Sequence, residues 1–243
     1  MKIIVCRDKA EMSAVAASMV EAQIKEKPET ILGLATGSTP EGMYAILCQK
    51  YAEGALDFSK VKTFNLDEYY PIKKDNDQSY AYFMNKHLFS HINVPAKNIH
   101  IPNGECADPN AEGPAYDAMV AAEGGVDLQI LGIGRNGHIA FNEPDEALIM
   151  GTHLTSLTES TIEANSRFFA SKDDVPRHAL TMGIGTIMTA KKIILMANGA
   201  DKKEALSYLF NDKLSAAVPA SLLKLHTDVT VICDEAACPD SQR

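Results

Sequence analysis

Val126-Asp127-Leu128-Gln129-Ile130-Leu131-Gly132-Ile133-Gly134-Arg135-Asn136-Gly137-His138-Ile139-Ala140-Phe141-Asn142-Glu143-Pro144 is the stretch on which the reading of this chain turns. Its first six residues are an apolar run that predicts a buried strand. Three glycines follow, and they let the backbone turn sharply and approach a ligand without Cβ clashes. His138 and Glu143 then lie five residues apart in a segment closed by a proline. Histidine is the side chain best suited to moving protons near neutral pH. A neighbouring carboxylate fixes its tautomer and raises its basicity. The stretch reads as a ligand-approach loop carrying an acid–base pair.

The spacing Gly132-x-Gly134-x-x-Gly137 also matches a dinucleotide-binding fingerprint. That fingerprint needs a helix opening at the last glycine and an acidic residue about 20 positions on. Pro144 comes too early for a good helix, and the unit sits mid-chain instead of in the first crossover. No nicotinamide or flavin is expected, and no other cofactor motif is present.

The 243 residues fit one large α/β domain or two small ones, and 46% hydrophobic content supplies a full core. A net charge of −9 and a pI near 5.3 argue against broad binding to nucleic acid or to an anionic membrane. An anionic substrate stays open, because a few local cations suffice for a phosphate. Five cysteines, without C-x-x-C or zinc spacing, predict a reduced, cytoplasmic protein. The apolar N-terminal stretch is too short for a signal peptide, and no run approaches the roughly 18 apolar residues of a membrane span.

On either side of the central strand, strand and helix patterns alternate. Strands are expected over residues 2–6, 30–35, 61–66, 98–101, 152–157, 179–182, 193–197 and 229–233. Helices are expected at Met12 to Ile24, after Pro40, and over 79–92, 111–122 and 160–168. This alternation predicts a single doubly wound, Rossmann-like α/β domain over 1–235, with a mostly parallel sheet and helices on both faces. The polar tail 236–243 is expected to fray, and residues 153–182, long and poorly periodic, are expected to form a mobile lid.

Several strand ends carry chemistry. Thr36-Gly37-Ser38-Thr39-Pro40 runs from a strand into a helix start, so its N–H groups and hydroxyls form either a phosphate cradle or an ordinary capped turn. Asp67-Glu68 at the end of the third strand is placed for general-base work, the alternative being two solvated acids in a loop. Lys202 and Lys203 open a helix against its dipole, which suggests a nearby anion or a merely solvated charge. His87 and His91 have metal-pair spacing but lack a flanking glutamate and a third ligand, so they read as packing or surface residues and no metal is expected. A phosphate cradle with separate proton-transfer groups points to chemistry on a phosphorylated sugar.

These motifs resemble those of the glucosamine-6-phosphate deaminase family. The resemblance rests on Ala35-Thr36-Gly37-Ser38-Thr39-Pro40, Phe64-Asn65-Leu66-Asp67-Glu68-Tyr69 and Gly137-His138-Ile139-Ala140-Phe141-Asn142-Glu143-Pro144. Asn165-Ser166-Arg167-Phe168-Phe169 and Gly199-x-x-Lys202 add to it, and it extends over about residues 1 to 235. It implies a cofactor-free reaction of amino-sugar catabolism: D-glucosamine 6-phosphate and water give D-fructose 6-phosphate and ammonia. It implies that His138, supported by Glu143, moves the proton that opens the sugar ring. It also implies that Asp67 transfers a proton from C2 to C1 and that Gly37, Ser38, Thr39, Arg167 and Lys202 hold the phosphate.

Two departures from the family pattern matter. Asn136 stands where other members carry an aspartate, and an amide can only orient or hydrogen-bond. Glu146, His153 and Thr155 replace the serine, arginine and lysine of the allosteric hexameric members. The expectation is a monomer or small oligomer that N-acetylglucosamine 6-phosphate does not activate. Competing expectations are a lactonase or pentose-phosphate isomerase on the same fold, or a non-catalytic sugar-phosphate sensor.

Overall fold

The computed structural model describes residues 1–166, 169 and 171–242. In chain order its strands and helices are β1 Lys2–Cys6, α1 Lys9–Glu26, β2 Ile31–Leu34, α2 Glu41–Ala52, β3 Lys62–Asn65, β4 Asp67–Tyr70 and α3 Tyr80–His87. There follow β5 Ile99–His100, α4 Pro109–Ala122, β6 Leu128–Leu131, β7 His153–Ser156, α5 Glu159–Asn165, β8 His178–Thr181 and α6 Ile184–Met188. The last are β9 Lys192–Ala197, α7 Lys203–Ser207 and β10 Val229–Asp234.

Seven strands pair in the order β1-β10-β9-β6-β2-β3-β5, all parallel. Apolar runs make this possible, since β2, β6 and β10 are buried at every position. The chain order runs one way from β2 through β3 to β5 and the other way from β6 through β9 to β10. The order therefore reverses between β2 and β6, and the crevice beyond their carboxyl ends is the expected ligand site of an open α/β sheet. At the opposite end of β6, Asp127 is paired with Lys27 and Lys191 at 2.7 Å each and accepts the N–H of Ile31 at 2.8 Å. That buried carboxylate ties the start of β6 to the start of β2. Burial opposes its charge, and the two lysines and the N–H outweigh it, holding it down to about 2.

The parallel, doubly wound core matches the expectation from sequence. A second sheet does not: β4, β8 and β7 form a separate antiparallel sheet. The chain changes sheets at Leu66, whose N–H donates to Leu34 of the large sheet and whose carbonyl accepts from Met182 of the small one. Asp67-Glu68 thus opens a strand, where a loop was expected. Two strands of the small sheet come from the segment expected to be a lid. Both were expected as strands, near 152–157 and 179–182; their antiparallel pairing with β4 in a separate sheet was not, because no local period encodes which strands pair.

The tail also departs from expectation. Ala237 and Cys238 are fully buried in the main core. Asp234 accepts the N–H of Ala237 at 2.8 Å, and Lys203 pairs with Asp240 at 2.6 Å. Two small apolar side chains suffice to anchor a segment whose composition is otherwise polar.

Candidate active site

The carboxyl ends of the central strands surround a cavity of about 650 Å³. Its wall includes Thr36 to Thr39 after β2, Leu66 and Asp67 after β3, Gly132 to Asn136 with His138, Ala140 and Phe141 after β6, and Asn198, Asp201 and Lys202 after β9. Tyr80 and Thr161 complete it from α3 and α5. The loops singled out in the sequence therefore meet in one place.

The loop after β2 turns at Gly37, whose φ of 89° favours glycine. Two long-range hydrogen bonds hold it. Tyr44 O–H donates to the carbonyl of Ala35 at 2.6 Å, and Lys9 Nζ donates to the carbonyl of Ser38 at 2.7 Å. Lys9 carries no motif and was not anticipated, since only the packing of α1 beside this loop brings it there.

Asp67 is 6% exposed and Glu68 2%, so neither is a solvated acid. Successive strand residues point to opposite faces. Asp67 meets the cavity, while Glu68 turns to the start of α3 and accepts the N–H groups of Tyr69, Tyr80 and Ala81 at 2.8 to 2.9 Å. Burial, with a smaller contribution from Glu68, pushes the Asp67 carboxyl up to about 8. Burial pushes Glu68 up to about 7 against the opposing pull of its three donors. The helix start that Glu68 holds places Tyr80 in the cavity wall, stacked on Phe141 with ring centroids 6.1 Å apart.

The loop after β6 does not open a helix. Gly137 N–H donates to the carbonyl of Gly134 at 3.0 Å, closing a tight turn with Arg135 and Asn136 at its centre. Gly134 has a specific reason to lack a side chain, since a Cβ there would lie 2.4 Å from the His138 ring. Beyond the turn, the Asn142 side chain donates to the carbonyls of Ile139 and Met182 at 3.0 and 2.8 Å. Thr181 accepts the N–H of Phe141 at 3.1 Å. The loop is thus anchored on the end of β8.

His138 Nδ1 lies 3.2 Å from Glu143 Oε2. The same carboxylate accepts from Asn136 Nδ2 at 2.7 Å and from the Thr161 hydroxyl. Burial would raise the Glu143 carboxyl, but His138, Thr161 and Asn136 outweigh it and hold it down to about 2. Asn136 therefore braces the carboxylate, and its own Oδ1 accepts the backbone N–H of His138 at 3.2 Å. Thr161 was not anticipated. No pattern marks it, and it arrives on α5 within the segment expected to be a lid.

Lys202 lies in the wall together with Asp201, and Lys203 turns away to Asp240. Ser38, Thr39 and Gly37 share that wall. Arg167 lies outside the described residues, as does the end of the helix expected over 160–168. His87 packs on Phe83 with centroids 4.4 Å apart, and His91 faces the carbonyl of Lys86, both away from the cavity. No group of three or more potential metal ligands occurs among the described residues.

A family model described as glucosamine-6-phosphate isomerases/6-phosphogluconolactonase matches residues 8–232. A glucosamine-6-phosphate deaminase of Clostridium perfringens is 54% identical over 237 residues, covering 98% of this chain and 98% of its own length. One from Thermoanaerobacter pseudethanolicus is 54% identical over 98% of this chain and 94% of its own. The solved structure of a monomeric glucosamine-6-phosphate deaminase superposes with a TM-score of 0.96 at 45% identity, covering 100% of both chains. A 6-phosphogluconolactonase from Trypanosoma cruzi shares the fold at a TM-score of 0.80 and 22% identity, over 97% of this chain and 95% of its own. With the sheet reversal, the cavity and these matches together, the chain belongs to the glucosamine-6-phosphate isomerase/6-phosphogluconolactonase family.

Proposed function

We propose that this chain converts D-glucosamine 6-phosphate and water to D-fructose 6-phosphate and ammonia. The observation that carries the reading is the pairing of two different proton-handling groups on one cavity. Asp67 is a buried carboxyl lifted toward neutrality, and His138 is backed by an ionised Glu143. A lactone hydrolysis would not need a base beside C2. The relatives at 54% identity carry the deaminase name, whereas the lactonases share only the fold.

With Nδ1 turned to Glu143, His138 acts through Nε2, moving the proton that opens the pyranose to the aldehyde. Asp67, once ionised, takes the C2 proton while one proton passes from the 2-ammonium group to O1, leaving a neutral enolamine across C1 and C2. It returns that proton to C1, which makes C1 a hydroxymethyl group and C2 an iminium. Water adds to C2, the C–N bond breaks, and ammonia leaves the ketone. A base with a pKa near neutrality suits a group that must both take and give the same proton. The substrate ammonium at C2 favours the ionised form of Asp67 on binding. Gly37, Ser38, Thr39, Arg167 and Lys202 are the proposed phosphate ligands, and that anchor orients the carbon chain against Asp67. In this reading the catalytic domain runs past the expected end at 235, since Ala237 and Cys238 belong to its core.

A monomer or small oligomer without effector activation is part of the proposal. It is supported by the monomeric relative and by Glu146, His153 and Thr155. A reducing, cytoplasmic setting fits five free thiols. Light scattering that gives a hexamer, or sigmoidal kinetics relieved by N-acetylglucosamine 6-phosphate, would contradict the quaternary part. The activity is tested by incubating the protein with glucosamine 6-phosphate and assaying both products. Equal amounts of ammonia and fructose 6-phosphate are expected. Neither product, despite sugar-phosphate binding, would overturn the reading.

A further inference from the structure

Arg135 stands at the cavity and has no part in the proton transfers. At the centre of the Gly134–Gly137 turn, Asn136 folds inward onto Glu143 and Arg135 reaches outward. Its Nε donates to Asp201 Oδ2 at 2.8 Å, across 66 positions of sequence. Lys202 Nζ lies 4.0 Å from that same oxygen. One carboxylate oxygen therefore sits between two cations in the cavity wall, in the arrangement that a phosphoryl oxygen would take up. We propose that Arg135 is a further ligand of the substrate phosphate, and that Asp201 is an internal anion which holds Arg135 in place until phosphate takes it over.

Three features carry this. The backbone on both sides is set independently of the ion pair. The Gly134–Gly137 turn closes on itself, and Gly199 N–H is held at 3.0 Å by each oxygen of Asp234, which is 8% exposed. The pair itself is solvent-facing, with the Arg135 side chain 76% exposed. An exposed pair of this kind holds its partners weakly, so Arg135 can leave it readily. A phosphate dianion offers the guanidinium a bidentate, charge-assisted contact that one carboxylate oxygen on Nε does not. The cradle of residues 36–39 and Lys202 line the same cavity, so one phosphate can be approached from both sides.

The identity of the sugar phosphate rests on the deaminase reading, but the phosphate contact does not, and the test separates them. Binding of inorganic phosphate to the full-length protein is measured by calorimetry for wild type, Arg135→Ala, Arg135→Lys and Asp201→Asn. The KM and kcat for glucosamine 6-phosphate are measured alongside. Arg135→Ala is expected to weaken phosphate binding and raise KM about tenfold, with a smaller change in kcat. Arg135→Lys restores part of the loss, because lysine supplies charge without the fork. Asp201→Asn tightens phosphate about threefold, because the competing anion is gone. Unchanged phosphate binding in Arg135→Ala overturns the proposal. Equal weakening in Arg135→Ala and Asp201→Asn also overturns it, since the pair would then be a structural clasp. If no variant or wild type turns over the amino sugar, the deaminase reading fails while the phosphate result still stands or falls by itself.

Discussion

Two carboxylates serve the same cavity and are driven in opposite directions. Asp67 is pushed up to about 8 and Glu143 is held down to about 2. Both are largely buried, so burial alone does not separate them. Donors do. Asp67 opens a strand beside a second acid, whereas Glu143 receives an amide, a hydroxyl and an imidazole. The same functional group becomes a proton carrier in one setting and a fixed negative charge in the other. Opposed pKa values of neighbouring carboxyls are a common way to divide acid–base tasks.

The strongest way to break this contrast is Asp67→Asn. Turnover is expected to fall about a thousandfold, and exchange of the C2 proton with deuterated solvent to stop, while substrate still binds. Normal exchange would remove Asp67 from its proposed role. The same variant has a stability consequence of definite sign. The folded pKa of Asp67 lies above its ordinary 3.8, so ionising it destabilises the fold. That penalty is absent below pH 3.8, grows as pH rises, and is complete above about 8. Denaturant titrations should find Asp67→Asn more stable than wild type at pH 9, with the difference vanishing near pH 4. In wild type, kcat/KM should climb with pH on an acid limb that ends near the Asp67 value of about 8.

Next in size is Glu143→Gln, which keeps the shape but leaves His138 without its anion. A loss of about a hundredfold in kcat is expected. Its stability effect has the opposite pH sense. Glu143 has a depressed folded pKa, so its contribution is present above the ordinary 4.5 and is lost as pH falls through about 2. The wild type should therefore exceed the variant in stability at pH 6 and lose that lead as pH approaches 2. A lead that persisted at pH 2 would mean that packing, not charge, sets the difference.

Asn136→Asp sharpens the comparison by placing an acid where an amide now braces Glu143. Glu143 then loses a donor at 2.7 Å and gains a like charge, so its carboxyl should titrate higher when followed by NMR. Thr161→Val is the smallest change, removing one donor from the other oxygen of Glu143. A fall in kcat of about threefold is expected, roughly the weight of a single net hydrogen bond. No change at all would confine Thr161 to packing.

The alternation of elements, the glycine-bounded loops and the acid–base residue types were legible because each is a local property. Strand and helix periods show within a few residues, and the turn at 134–137 needs its glycines wherever it folds. The crossover logic of parallel strands then brings the loops after β2, β3, β6 and β9 to one end of the sheet. In this sense the amino-acid sequence alone determined that the loops carrying Asp67, His138 and Lys202 would meet at one cavity.

The tertiary structure decided the state of those groups. Whether Asp67-Glu68 was a solvated loop or a buried strand depended on Leu66 bonding to both sheets at once. The Lys9 contact to Ser38, the Thr161 contact to Glu143 and the Arg135 contact to Asp201 join residues 29, 18 and 66 positions apart. No local pattern encodes such pairs. Proton affinity is set by how much water is removed and which donors replace it, and both are properties of the packed chain.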